Sequence, residues 1–196
     1  LPGDPLTTHN PFTVRSYLVR TARLLRTLLA ACQTRQGQTA QAQSPPFDDS
    51  LWSMLGELGK TWPPSPSALT EGVTRLFKYG MLATMSGLIH AIGFLEAIFN
   101  TFSDFPENLV GRLLDAIADG ARRQLETLAE SDDELRRLWE VIDLVLAIMV
   151  GSVRFGLITD PRGFDAINDY ECRDWLRLNG ASERALNSAF VRGLYD

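Results

Sequence analysis

The sequence has little of what metal and redox sites are built from, with two cysteines and two histidines in 196 residues. Cys32 and Cys172 are far apart and have no metal-ligand spacing, which excludes a framework of several disulfides or a cysteine-rich metal site. No histidine follows a glutamate at Glu-x-x-His spacing, which argues against a di-iron bundle. We expect two reduced thiols buried in the core of a cytoplasmic protein, with a single disulfide as the alternative.

Excess positive charge is also missing. Lysine and arginine number 19 against 24 aspartates and glutamates, which gives a net charge of −5. The densest basic pairs, 122–123 and 136–137, have acidic residues nearby. Nucleic acids and anionic lipid surfaces select basic faces. We therefore expect no nucleic-acid partner and no membrane contact.

A long apolar run free of charge is absent as well. The most apolar window, residues 141–158, is long enough to cross a bilayer but contains Asp143 and Arg154. Each of these charges would cost about 3 kcal/mol at the bilayer centre. The window is better interpreted as a buried core helix.

Complete nucleotide-binding motifs are absent too. GELGKT at 56–61 ends like a phosphate-binding loop, but Met54 stands where that motif requires glycine. The segment 62–64, Trp-Pro-Pro, prevents a helix from starting at the lysine. No Gly-x-Gly-x-x-Gly follows a predicted strand. We interpret 56–61 as the end of a plain helix.

What is present is helical periodicity over most of the chain, without the alternation typical of strands. The pattern predicts an all-α fold, an irregular bundle of about six to eight helices in one domain spanning residues 1–196. Four glycines in the third segment indicate close packing, a kink or a break near 80–87. The predicted helices cover residues 12–32, 50–60, 67–102, 104–130, 131–157, a short stretch within 169–182, and 182 to the end.

Between the first two predicted helices, residues 33–50 are polar, glutamine-rich and nearly free of large apolar groups. This composition predicts a flexible linker. The chain starts with turn-forming residues and stops in a helical pattern without a C-terminal cap. We therefore expect an insertion domain excised from something longer.

Two residues are candidates for lining a substrate pocket. His90 lies in an apolar helix, where a hydrogen-bonded core histidine is the ordinary alternative to a pocket role. Arg154 has no acidic residue three or four positions away on its helix. Its side chain could extend to solvent, pair with a distant acid or face an anionic ligand. We predict no catalytic, cofactor-binding or metal-binding residue in this chain.

The most distinctive segment is DYECRDWLRLNGAS, residues 169–182. Asp169 is the predicted N-cap of a short helix, Gly180 its C-terminal stop, and Ser182 the N-cap of the next helix. Helical spacing predicts a buried face. This face comprises Cys172, Trp175 and Leu176.

This segment resembles the D-W-L-R-x-x-G-x-S motif in the helical substrate domain of FAD-dependent amine oxidases and phytoene-desaturase-like oxidoreductases. The resemblance is specific over residues 159–190, and the rest of the chain is compatible with it. The matching residues are Asp174, Trp175, Leu176, Arg177, Gly180 and Ser182.

In that family a dinucleotide-binding segment comes first, a mostly helical insertion then covers the substrate, and the chain returns to complete the flavin domain. The resemblance therefore implies that this chain is the substrate-side portion of a large bacterial FAD-dependent oxidoreductase. It would be inactive alone and would shape the substrate cavity, with FAD held by the remainder of the parent flavoprotein. The alternative is a free-standing helical interaction module that binds a partner or a second copy of itself.

Overall fold

The computed structural model describes residues 12–39, 66–78, 80–101, 107–130 and 132–195. Within these ranges every regular element is helical, which confirms the all-α prediction. Seven α-helices have at least seven residues each, and one further helix is a single turn. The helix predicted over 50–60 lies outside the described residues. The α-helices are α1 Val14–Thr39, α2 Pro66–Lys78, α3 Met85–Thr101, α4 Glu107–Ala129, α5 Asp133–Arg154, α6 Cys172–Leu178, α7 Glu183–Leu186 and α8 Ala189–Tyr195.

Four long helices form the core: α1 packs against α3 and α5, and α4 packs against α5 and α3. Each carries apolar side chains three or four positions apart, the spacing that places them on one face of a helix. Burying these faces against each other removes the large side chains from water. Fully buried examples are Leu18, Leu25, Leu29, Leu88, Ile92, Leu95, Phe99, Leu113, Leu114 and Ile117.

The long pattern over 67–102 is broken in two, which is one of the three alternatives that the glycines indicated. Helix α2 ends at Lys78, Gly80 takes a left-handed conformation with φ of 61°, and a 3₁₀ turn at Met81–Ala83 leads into α3. The turn packs directly against α4, where Gln124 Nε2 donates to the Ala83 carbonyl at 2.6 Å.

The end of α1 and the start of α5 differ from the sequence prediction. Helix α1 continues to Thr39, so residues 33–39 of the predicted linker are helical, and residues 40–50 lie outside the described ranges. Arg35 explains part of the extension, because it pairs with Asp132 and Glu134 at the start of α5. The N-cap of α5 is Asp132, one residue after the predicted start at 131, since its carboxylate accepts the Glu134 N–H at 2.8 Å.

The apolar window 141–158 forms the second half of α5 and a following turn. Helix α5 ends at Arg154, about one turn before the predicted end, and Gly156 has a φ of 62°. The structure buries most of this half of the helix against its neighbours. Among the described residues, no helix combines the length and apolar character that crossing a bilayer requires.

Gly120 on α4 should be intolerant of a side chain, although alanine favours helices. A Cβ at Gly120 would lie 2.4 Å from the Leu82 carbonyl oxygen and 2.7 Å from Leu88 Cδ2. We expect Gly120→Ala to lower the free energy of unfolding by about 1–3 kcal/mol, because the backbone of the turn must move.

The matched control is Gly111→Ala on the same helix, where the nearest atom is Val153 Cγ1 at 3.9 Å. It should raise stability by up to about 1 kcal/mol. Urea denaturation measures both variants. Equal effects of the two substitutions would contradict the close contact.

Candidate functional site

Polar contacts converge on the turn that joins α6 to α7, residues 178–182, called here the 178–182 turn. Arg122 reaches it from α4, and Asp143 and Arg154 reach it from α5. The turn contains the second half of the D-W-L-R-x-x-G-x-S segment. It is therefore the place where the distinctive sequence meets the helical core.

The backbone of the turn follows from its sequence. Gly180 has a φ of 98°, and its N–H donates to the Arg177 carbonyl at 3.0 Å while the Ala181 N–H donates to the Leu176 carbonyl at 3.0 Å. This is the Schellman arrangement, which favours glycine because a Cβ is disfavoured at positive φ. Ser182 Oγ accepts the Ala185 N–H at 3.2 Å and caps α7. The predicted roles of Gly180 and Ser182 are confirmed.

The start of α6 was predicted less well. Glu171, rather than Asp169, is the N-cap, because its carboxylate accepts the Asp174 N–H at 3.0 Å. Cys172 was predicted to be buried but is exposed. It stands in the first turn of α6 beside residues 168–171, which are all exposed, so this end of the helix is open to solvent.

Trp175 anchors α6 on α5. Its side chain is 4% exposed and lies over Gly151, where a Cβ would come within 2.4 Å of Trp175 Cζ2. The Phe155 ring lies 6.0 Å from the Trp175 ring, centroid to centroid. Glycine at position 151 allows this close approach, and Leu176 is buried beside the tryptophan as predicted.

Asp143 is a fully buried carboxylate in the middle of α5. Oδ2 accepts the Ser182 N–H at 2.7 Å, and Oδ1 lies 3.5 Å from Arg122 Nε. Arg122 also donates to the Gly180 carbonyl. A buried carboxylate needs hydrogen bonds or a counter-charge, and here the turn and α4 supply both. The charge within the apolar window is thus explained by its partners.

Arg154 makes a second set of contacts with the turn. Nη1 donates to the Leu178 carbonyl at 3.2 Å and to Asn179 Oδ1 at 3.3 Å. Nη2 lies 3.6 Å from Asp115 Oδ1 on α4. Of the three alternatives raised by the sequence, the structure shows pairing with a distant acid. The pocket-lining role of Arg154 stays a prediction.

His90, the other sequence candidate, is partly buried on α3. Its Nδ1 lies 2.6 Å from the Ser86 carbonyl oxygen, one turn earlier on the same helix. Arg154 has its partners on α4 and in the 178–182 turn, so the two candidates have different hydrogen-bonding partners. The contacts of His90 match those of a hydrogen-bonded core histidine, and its role in a pocket also stays a prediction.

A second buried carboxylate, Glu96, joins α3 to α1. Oε1 accepts from Arg23 Nε at 2.9 Å, and Oε2 lies 3.2 Å from Arg26 Nη1. Sequence reasoning missed both this cluster and the roles of Arg122 and Asp143. The available signal was a carboxylate within an otherwise apolar helix, which requires a partner from another element.

The side chains of these clusters hold helices in position relative to each other. Around the 178–182 turn, carboxylate, guanidinium and backbone groups of the chain hold α6 and α7 on α5, and Asp143 Oδ1 has the ion pair with Arg122 but no hydrogen bond. Among the described residues, no group of three or more histidine, cysteine, aspartate or glutamate side chains could hold a metal ion. In comparisons with known proteins, no family model, no curated protein and no solved structure matches the chain.

The two thiols should differ strongly in reactivity. Both cysteines are free, and burial raises the pKa of Cys32, which reduces its thiolate fraction as well as its access. We expect a disulfide reagent such as Ellman's reagent to modify Cys172 rapidly in the native protein and Cys32 only on unfolding. Cys172→Ser should abolish the rapid phase. Two rapid phases in the native protein would contradict the burial of Cys32.

Replacing Arg122 should lower the free energy of unfolding more than replacing an exposed arginine does. Arg122→Met leaves the Asp143 carboxylate buried without a counter-charge, which costs 3–5 kcal/mol in a fully buried pair. We expect about 3 kcal/mol, the lower end of that range, because 32% of the Arg122 side chain is exposed. Denaturant unfolding measures the loss.

The control is Arg177→Gln, which removes an exposed pairing with Asp174 and Glu183 and should have a small effect. Adding Asp143→Asn to Arg122→Met should recover much of the loss, because the amide still accepts the Ser182 N–H without a buried charge. Additive losses in this cycle would show that Arg122 does not act through Asp143.

Proposed function

We propose that this chain is the helical, substrate-side portion of an FAD-dependent oxidoreductase and that it works only within the parent flavoprotein. One observation supports this most directly. The residues that match the D-W-L-R-x-x-G-x-S motif are consecutive parts of one docked unit, α6, the 178–182 turn and the start of α7.

Each matching residue has a physical task in that unit. Trp175 and Leu176 are the buried anchors. Gly180 provides the left-handed turn, and Ser182 caps the next helix. Arg177 pairs with Asp174 on its own helix and with Glu183 on α7. A motif with these tasks docks two short helices on a longer one, which is compatible with a helical substrate-side domain.

The residues of this chain do not fit a flavin-binding role by themselves. A dinucleotide cradle uses a glycine-rich turn between a strand and a helix. The sequence has no such turn, and the described residues contain no strand. In this proposal FAD is held by the remainder of the parent enzyme, and the redox chemistry is that of the flavin. The bundle contributes shape, with His90 and Arg154 as the proposed pocket-lining residues.

A second candidate function is a free-standing interaction module. The observation that favours it is a set of large apolar side chains exposed on the surface. Leu178, the first residue of the 178–182 turn, is 55% exposed, and Phe190 on α8 is 58% exposed. Exposed apolar groups of this size are typical of surfaces that bind another protein when they form one patch. The partner would be the rest of a larger protein or a second copy.

The test is the natural gene product that contains this chain, compared with residues 1–196 alone. We expect the full product to copurify with stoichiometric FAD, identified by absorbance and by chromatography after denaturation. Residues 1–196 should be colourless. Stoichiometric flavin on the isolated chain would overturn the assignment of the flavin site to the remainder of the enzyme.

A full-length product without FAD would overturn the flavoenzyme proposal itself. Light scattering of the isolated chain then tests the second candidate, because self-association would indicate a module that binds its own copy. The double substitution Leu178→Ser and Phe190→Ser removes the two exposed apolar groups and should abolish such association. Unchanged association in the double variant would contradict a role for these side chains.

A further inference from the structure

We propose that residues 171–195, the C-terminal arm, open from the bundle as one unit and that Asp143 is the latch that holds the arm closed. The arm comprises α6, α7 and α8. This is a conformational property of the chain itself, and it goes beyond the flavoenzyme proposal without depending on it.

The proposed pivot lies at the base of the arm. Residues 168–171 are all exposed. The segment before them is attached separately to α1, where the Phe164 ring packs edge-on against Tyr17 at a centroid distance of 6.2 Å. Tyr170 packs edge-on against Phe155, just after the end of α5, at 5.4 Å. These two ring contacts hold the preceding segment on α1 and at the end of α5, so the arm would leave α5 from Glu171 onward.

The arm is tied together internally. Arg177 bridges α6 and α7 through Glu183, and Arg173 Nη2 donates to Asn187 Oδ1 at 2.7 Å. These bonds join the two helices to each other and not to the core. Such internal ties favour opening of α6 and α7 together over separate fraying of each helix.

The attachment of the arm to the core has an apolar part and a polar part. The apolar part packs on α5 and is centred on Trp175 over Gly151. The polar part is concentrated at the 178–182 turn, where Asp143 accepts the Ser182 N–H and also contacts Arg122, which donates to the Gly180 carbonyl. Of Asp143, Arg122 and Ser182, Asp143 is the residue that is completely buried in the core. Its loss removes one bond directly and takes the counter-charge from Arg122, which makes a second. The bonds from Arg154 to Leu178 and Asn179 do not involve Asp143.

Native-state hydrogen exchange on residues 1–196 tests the proposal. In the wild-type protein, the protected amides of α6 and α7 should share one opening free energy that is lower than that of the α1 and α3 amides. This measurement does not require any variant to fold. A common opening free energy for the arm and for α1 and α3 would overturn the proposal, because the arm would then open only with the whole bundle.

The variant Asp143→Ala tests whether Asp143 holds the arm closed. Removing the carboxylate leaves the Ser182 N–H without its acceptor, which weakens the attachment of the turn to α5. We therefore expect exchange of the arm amides to accelerate about tenfold, with α1 and α3 changed much less. Equal acceleration in all helices, or acceleration at Ser182 alone, would overturn the latch.

Two further variants separate the latch from general destabilisation. Ser152→Ala also removes a buried polar group from α5, but Ser152 Oγ donates to the Ile148 carbonyl of its own helix. It should not accelerate the arm selectively. Gly151→Ala pushes against Trp175 and should open the arm from its apolar side. Failure of Gly151→Ala to accelerate the arm amides would contradict the docking geometry.

Discussion

Burial of α5 is the constraint on which the rest of the structure depends. This helix has buried residues on most of its circumference in its second half, including every position from Ile142 to Ala147. One helix cannot cover another on all sides, so α5 contacts α4, α1 and the C-terminal arm. The hydrophobic effect makes this arrangement favourable because apolar area is removed from water on each side. The positions of α1, α4 and the C-terminal arm follow from the need to cover α5, and α3 in turn packs on α1 and α4.

The same constraint explains where charge and glycine occur in the core. A carboxylate at position 143 lies inside the covered surface, so it needs partners from the elements that cover it, Arg122 and the Ser182 N–H. Gly151 allows the Trp175 ring to lie directly on the α5 backbone, and Gly120 does the same for the turn before α3. At Gly151 and Gly120 the helices are held by close packing on a glycine, and at Asp143 by the pairing of a buried charge.

For the proposed function, these contacts mean that the chain contributes shape and not reactive groups. The motif residues of the arm are occupied by docking, capping and turn formation, so they position helices. In the flavoenzyme proposal, the chain forms one side of a cavity whose reactive group is bound elsewhere. In the interaction proposal, the exposed apolar groups of the arm would contact the partner. In both proposals the arm acts through its position on α5.

Local features were predictable because their causes lie within a few residues. Helical periodicity predicted the four core helices, and glycine predicted the turn at Gly180 and offered a break near 80–87 as one of three alternatives. The predictions that were wrong depended on distant contacts or on competing caps. Arg35 helps to extend α1 through acids at the start of α5, and Glu171 competes successfully with Asp169 as the cap of α6. Cys172 has the spacing of a buried residue, but this end of α6 is not covered.

The sequence by itself therefore determined the helical class, most helix positions and the turn geometry, because hydrogen bonding within helices and turns is local. Only the tertiary structure decided which charges are paired. Asp143, Arg154 and Glu96 have no suitable partner of opposite charge nearby on their own helices, and their partners are brought to them by packing. Their roles depend on which helix faces cover α5 and α3, and that is a property of the whole bundle.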